Sequence, residues 1–327
     1  MFSCRYRIAQ TDEGDCVNAV LSDFLGCIDA FPEEEGENMQ LLSTKKNKLL
    51  LLLPTCLVYV VYIILPILVS LYYSFTKYSG ISKPRLYGLK NYIRLLDDPY
   101  FWIALKNTAI ILGISILLLG IGAFFVAMLL NQPMRGVNVC KALIFAPAII
   151  ASIIAGVIWG YLLDPVTGLV NNVLRAIGLD KLALEWIGGK TLSPYSIAFV
   201  YFWQQAGYIA AIYLAGLKTI PHEMMEAAAV DGTNFWQRLL HVTIPALRDT
   251  FVSVGILIIT GSMKIFETVQ QLTGGGPTHY SETLVTYAYN TTFARGEYGY
   301  GMALATATFL ISLILMGIYT LLLRGKD

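Results

Sequence analysis

The sequence predicts an all-α polytopic membrane protein with six spanning helices, and three observations carry that prediction. Mean hydropathy is +0.61. Only 14% of the residues are charged, against about 25% in an ordinary soluble domain. Six apolar segments reach the roughly 20 residues that a bilayer core of about 30 Å demands of a helix.

The first 38 residues stand apart. They hold nine of the 22 acidic residues, including Glu33-Glu34-Glu35, with Arg5 and Arg7 as their only Lys or Arg. No basic start leads into a long apolar run, so this is not a signal peptide. The composition predicts a solvated, disordered tail. The alternative is that translation begins at Met39, because Lys45, Lys46 and Lys48 then abut the first apolar segment as a natural start would.

The spans follow in order at 49–75, 107–130, 140–163, 194–217, 250–271 and 300–323. Pro54 and Pro66 lie in the first and Pro147 in the third. Neighbouring helices can cover the carbonyls that a proline frees. Lys/Arg bias does not orient the chain: the loops on the two sides carry ten cations each. The Lys45–Lys48 cluster favours an N-terminus inside.

Between the fourth and fifth spans the residues predict a helix, a turn and a second helix. Pro221 suits a first turn and Glu223 lies near the positive helix end. Met224 to Val230 are mostly good helix formers. Gly232 can take positive φ and stop the helix, and Asn234 can cap the next one. Phe235, Leu239 and Val242 then share a face, and Pro245 ends the helix. On periodicity alone this is a loop lying on the membrane surface.

The particular residues say more. Glu226-Ala227-Ala228, three residues, Gly232, nine residues and then Val242-Thr243-Ile244-Pro245 resembles the EAA motif of binding-protein-dependent ABC importer permeases. Tyr87-Gly88-Leu89-Lys90-Asn91-Tyr92 with Asp98-Pro99-Tyr100-Phe101-Trp102 is similar to a segment of that family's carbohydrate branch. So are Ala215–Pro221 and the glycine-rich Leu272-Thr273-Gly274-Gly275-Gly276-Pro277. The resemblance covers about 45–325. Thr233 stands where the family usually has Ala, and Leu240 where Phe is common.

The resemblance implies a type I ABC importer permease fold, with the first helix and an outer loop in 39–105 and the transport domain in 106–325. It implies that the loop 218–249 is cytoplasmic and docks on an ATPase through Glu226, Ala227, Ala228, Asp231 and Gly232. The chain would then be a multi-pass protein of the cytoplasmic (inner) membrane with both termini on the cytoplasmic side. The implied partners are a second homologous permease, two ATP-binding subunits, a solute-binding protein outside and membrane lipid. The implied mechanism is alternating access for a sugar, with no cofactor.

Other classes fit less well. Net charge is +1, which gives nucleic acid no electrostatic handle. The five cysteines, Cys4, Cys16, Cys27, Cys56 and Cys140, form no C-x-x-C and suggest neither zinc nor a disulfide framework. Gly188-Gly189-Lys190-Thr191 fails as a phosphate-binding loop because Leu184 stands where glycine is required. His222, His241 and His279 join no catalytic set. A secondary transporter would need no EAA loop, and a permease for glycerol phosphate or another solute stays open.

Four polar residues in the spans are candidates for the translocation path. Lys264 falls deep in the fifth span, with Glu267 three residues on and on the same helical face. They form either an intrahelical ion pair or part of a pathway. Gln204 and Gln205 sit near the middle of the fourth span, as glue between helices or as partners for sugar hydroxyls. Gly274, Gly275, Gly276 and Pro277 form either a flexible loop or a turn re-entering near the path.

Overall fold

The computed structural model describes residues 45–81, 83–276 and 278–324; the tail 1–38 and Pro277 lie outside the described residues. The chain divides into two compact units, Met1–Leu68 and Val69–Asp327. The described part of the first unit is a length of helix, and the second unit holds the remaining helices.

Helix α1 starts at Lys45 and its apolar stretch is Leu52–Ser74. Pro54 lies within it without a break. A π turn at Val60–Ile64 precedes Pro66. A proline ring clashes with the carbonyl four residues back, and a wider turn relieves that clash. The same device recurs at Leu239–Thr243, ahead of Pro245.

A two-stranded hairpin, β1 (Thr76–Lys77) with β2 (Arg85–Leu86), leads to the short helix α2 (Lys90–Asp97). Helix α3 then runs Pro99–Leu130, with a π turn at Ile116–Gly122. It begins eight residues before the expected 107 because Asp98 caps it: the carboxylate accepts from the Tyr100 N–H at 2.9 Å, with Pro99 in the first turn.

The third expected span is bent. Helices α4 (Val137–Ile149) and α5 (Ser152–Leu163) meet at 99°. Ile150 and Ala151 between them are extended. Helix α6 (Leu169–Ala176) follows, then α7 (Ser193–Thr219), which is the fourth expected span. The helix–turn–helix comprises α8 (His222–Val230) and α9 (Phe235–Ala246). Helix α9 meets α10 (Arg248–Met263) at 72°.

The fifth expected span, 250–271, is also interrupted. Helix α10 stops at Met263, and α11 (Glu267–Leu272) starts anew. Helix α12 (Leu284–Tyr289) runs into a π turn at Asn290–Ala294, and α13 is Tyr298–Arg324. Among the described residues four helices are long and apolar enough to cross a membrane, with up to six spans if each bent pair counts as one.

Helix α7 is the hub. Its residues Tyr213, Leu214 and Leu217 pack with Phe124 of α3, Leu239 of α9 and Val254 of α10. Its Ile197, Ala198 and Val200 pack with Ile111 of α3, Leu163 of α5 and Val269 of α11. Gly207 lets α4 approach closely: a Cβ there would lie 2.3 Å from the Ile144 carbonyl oxygen. A third cluster joins Leu95 of α2 and Phe101 of α3 to Tyr287 of α12 and Leu304 of α13.

Candidate functional site

Within 218–249 the turn and the caps are built as their residues predict, while the second helix runs through Pro245 to Ala246. The Thr233 N–H bonds to the Ala228 carbonyl at 3.2 Å and the Gly232 N–H to the Ala229 carbonyl at 3.1 Å. This is a Schellman ending of α8, which needs left-handed backbone at Gly232, where φ is 71°. The family-atypical Thr233 adds a bond from its hydroxyl to the Ala228 carbonyl at 2.6 Å. Asn234 then caps α9, and Gln237 answers with its side chain on the Asn234 N–H at 2.9 Å.

The motif residues divide by exposure. Ala228 is buried, whereas Glu226, Ala227, Asp231 and Gly232 are exposed. Glu226 lies 3.1 Å from His222 Nδ1 across one turn. Around them Met224, Val230, Phe235 and Trp236 show apolar surface, with Val230 87% exposed. Phe235 departs from the expected shared face: Leu239 is buried and Val242 half-buried, but Phe235 stays out. The result is a knuckle with small residues, the exposed carboxylates of Glu226 and Asp231, and an apolar rim.

The two glutamines of α7 serve different ends. Gln204 is 2% exposed and donates to the Ile150 carbonyl at 2.8 Å and to Ser152 Oγ at 3.3 Å. It closes the gap between α4 and α5, so it is glue. Gln205, one residue on, lines a cavity of about 440 Å³ with Tyr201 and Tyr208 of the same helix.

Lys264 and Glu267 line that cavity too, but not as the intrahelical pair that their spacing predicts. Lys264 ends α10, its N–H shared between the Thr260 and Gly261 carbonyls at 3.2 Å each. Glu267 opens α11. The break between them removes the common helical face, both side chains are exposed, and they form no salt bridge with each other. Irregular backbone at membrane depth is tolerated where it is buried in protein or lines a cavity; here the Ile265 carbonyl accepts from the Thr283 hydroxyl at 3.1 Å while Lys264 and Glu267 face the cavity.

The glycine-rich turn is not a loose loop. Gly274 and Gly275 have φ of 60° and 82°. A Cβ at Gly275 would sit 2.7 Å from Glu282 Cγ. Ser281 Oγ donates to Thr273 Oγ1 at 2.8 Å and to the Gly276 carbonyl at 3.1 Å. Glu282 is buried, bound by His279 Nδ1 and by Asn290 at 2.8 Å. Asn107 of α3 ties the turn down through the Tyr280 and Glu282 carbonyls at 2.9 and 3.0 Å.

Sequence reasoning passed over Asp98 as more than part of a similar segment, and over Asn107 entirely. Asp98 Oδ2 accepts from Tyr287 at 2.5 Å and Tyr300 at 2.6 Å, which locks α3 to α12 and α13. Burial disfavours its charge. Hydrogen bonds from the two tyrosines and from the Tyr100 and Phe101 N–H groups outweigh this and hold the carboxyl below the usual range. The Asp98-Pro99 pair was the available signal, as a cap followed by a first-turn proline. Among the described residues no group of three or more His, Cys, Asp or Glu is placed to hold a metal.

A bundle of bent and straight apolar helices around a cavity of mixed lining, apolar residues with Gln205, Lys264 and Glu267 among them, and a knuckle between two spans fit a membrane transport subunit. The chain belongs to the binding-protein-dependent transport system inner membrane components, which it matches over residues 49–327. It is 34% identical to the probable ABC transporter permease protein YurN of Bacillus subtilis (strain 168) over 276 residues, 83% of this chain and 94% of the relative. It is 28% identical to the trehalose/maltose transport system permease protein MalF of Thermococcus litoralis, over 83% of this chain and 91% of that one. The fold is that of a chain in the crystal structure of a bacterial ABC transporter involved in alginate import. There the TM-score is 0.73 at 23% identity, covering 86% of this chain and 96% of that one.

Proposed function

We propose that this chain is the permease subunit of an ATP-driven sugar importer, oriented with both termini and the helix–turn–helix in the cytoplasm. The observation that carries the reading is the knuckle at 226–232, whose Schellman turn fixes Glu226, Ala227, Asp231 and Gly232 on an exposed surface between two spans. Small residues allow close approach of a partner groove, the two carboxylates offer charge-assisted bonds, and the apolar rim offers burial. The sugar assignment rests on relatives whose names specify trehalose and maltose, diacetylchitobiose and starch degradation products.

In this mechanism a solute-binding protein delivers the sugar and two ATPase subunits supply the free energy. A second homologous permease completes the pathway. The knuckle passes ATPase motion through α9 into α10, and α10 ends at the cavity wall. There Gln205, Lys264 and Glu267 present an amide, an ammonium and a carboxylate to sugar hydroxyls. Gln204 belongs to the frame of the path, and the glycine-rich turn to its support.

A cysteine at the exposed Ala227 tests the orientation and the docking together. It should cross-link to the ATPase subunit in the assembled complex and resist impermeant maleimide added from outside intact cells. Labelling from outside, or absence of the cross-link in an assembled complex, would contradict the reading.

A further inference from the structure

The hairpin β1–β2 and helix α2 carry an apolar surface that the fold leaves uncovered. Helix α2 has three sectors rather than two. Asn91 and Leu95 face the core, and Asn91 is fixed there by bonds from its amide to the Ser74 and Thr76 carbonyls at 2.8 and 2.9 Å. Lys90, Arg94 and Asp97 form a charged sector. The third sector is apolar and exposed: Leu89 at 63%, Ile93 at 59% and Leu96 at 61%. The hairpin extends it with Ile81 at 99% and Leu86 at 82%.

This element also gathers cations. Lys77, Lys83, Arg85, Lys90 and Arg94 fall between the two spans, against Asp97 and Asp98. Arg94 is committed to Glu297 at 2.7 Å and to the Tyr300 ring. Lys77 and Lys90 both lie over the Tyr87 ring, at 6.0 and 5.2 Å, on the same element as the apolar residues. Asp98 alone separates α2 from α3, so the helix stays within a residue of a spanning segment. Trp102, 50% exposed, starts the apolar flank of α3 and bonds back to the Leu96 carbonyl at 2.9 Å, joining that flank to the free sector of α2.

We propose that the hairpin and α2 form an interfacial element that lies in the membrane surface on the side opposite the knuckle. Leu89, Ile93 and Leu96 enter the acyl boundary, and Lys83, Arg85 and Lys90 bind anionic phospholipid headgroups. A water-facing helix would not present three apolar residues on a sector separate from its core contacts, whereas an interfacial helix must. Aromatic residues at the boundary and cations reaching the headgroups complete the pattern. The side assignment rests on the orientation proposed above; the membrane contact does not.

The test uses the complete transporter complex, free of other cysteines, in vesicles of phosphatidylcholine with phosphatidylglycerol. A polarity-sensitive fluorophore is attached at Ile93→Cys or, as the charged-sector control, at Asp97→Cys. The label at 93 should lose fluorescence to shallow nitroxide lipid and resist aqueous iodide; the label at 97 should be quenched by iodide. The lipid quenching at 93 should weaken in pure phosphatidylcholine, and also in a Lys83→Gln, Arg85→Gln, Lys90→Gln variant. Equal iodide quenching at both positions would overturn the proposal. So would shielding of 93 that arises only when the solute-binding protein is added, which would make this a receptor surface. Lipid quenching that does not respond to headgroup charge would remove the anionic part. Iodide access to 97 from the ATPase side would overturn the orientation while leaving the membrane contact standing.

Discussion

Among the described residues two of the expected spans, the third and the fifth, are interrupted, and the molecule treats the two interruptions differently. At Ile150–Ala151 the exposed backbone is met by a buried side chain, Gln204, and the gap is sealed. At Lys264–Phe266 only the buried side of the break is met, by the Thr283 hydroxyl at the start of α12 donating to the Ile265 carbonyl at 3.1 Å, and the flanking charged residues open into a cavity of about 440 Å³. A broken helix in a membrane must satisfy its freed carbonyls, either by protein or by water. The first solution gives a fixed corner, and the second gives a wall that a polar solute can touch. Adjacent glutamines of α7, Gln204 and Gln205, serve one solution each.

The comparison fails most visibly if the sealed corner proves soft. Gly207→Ala places a Cβ within 2.3 Å of the Ile144 carbonyl oxygen and 2.8 Å of Phe145 Cα, both backbone atoms that cannot rotate away. It should cost about 3 kcal/mol, the upper part of the overpacking range, read as a lowered unfolding temperature of the detergent-solubilised complex. Gln204→Leu leaves the Ile150 carbonyl without its donor and should cost about 1–2 kcal/mol on the same measurement. Gln205→Leu should leave stability within about 0.5 kcal/mol while reducing uptake. Equal stability losses for the two glutamines would erase the distinction.

The open interruption gives smaller stability effects and clearer transport effects. Lys264→Met and Glu267→Gln should each lower uptake efficiency by roughly tenfold, the loss of one charge-assisted bond of about 1.5 kcal/mol. Their stability effects should add to within about 0.5 kcal/mol, because the break at 264–266 denies them a shared helical face. A strong coupling in the double-mutant cycle would restore the ion pair that their spacing suggests.

The smallest expected effect is the control outside both interruptions. Asp98 has a folded-state pKa below its unfolded value, so its contribution is present above an unfolded pKa of about 3.9 and is lost as pH falls through the folded value. Asp98→Asn should therefore flatten the acid limb of stability below about pH 4 and leave the cavity variants' uptake defects unchanged. An unchanged acid limb would show that the two tyrosine bonds do not favour the ionised form.

What was legible in the sequence follows from which physical signals are local. Apolar length gave the spans, and the glycine and cap chemistry gave the helix–turn–helix, because Gly232 and Asn234 act on their own neighbours. The bend at 150 was not legible: Ile150 and Ala151 are apolar, and a hydropathy window cannot separate a bent segment from a straight one. The break at Lys264 was hidden for a related reason. Counting i to i+3 assumes an unbroken helix, and Lys264 ends one. Residue type also could not divide Gln204 from Gln205, since what separates them is the position of α4 and α5 against α7.

The central claim is that ATPase motion reaches the cavity through the knuckle. Its most direct measurement is ATP-driven uptake of the sugar that the binding protein retains, in vesicles containing the complete complex. Gly232→Leu forces a side chain into left-handed backbone at φ 71°, and Glu226→Lys reverses the exposed charge. Both complexes should insert and retain their cavity, yet lose uptake while ATP hydrolysis falls or runs uncoupled from transport. Wild-type uptake in both variants, or uptake by the permeases without the ATPase subunits, would contradict the account.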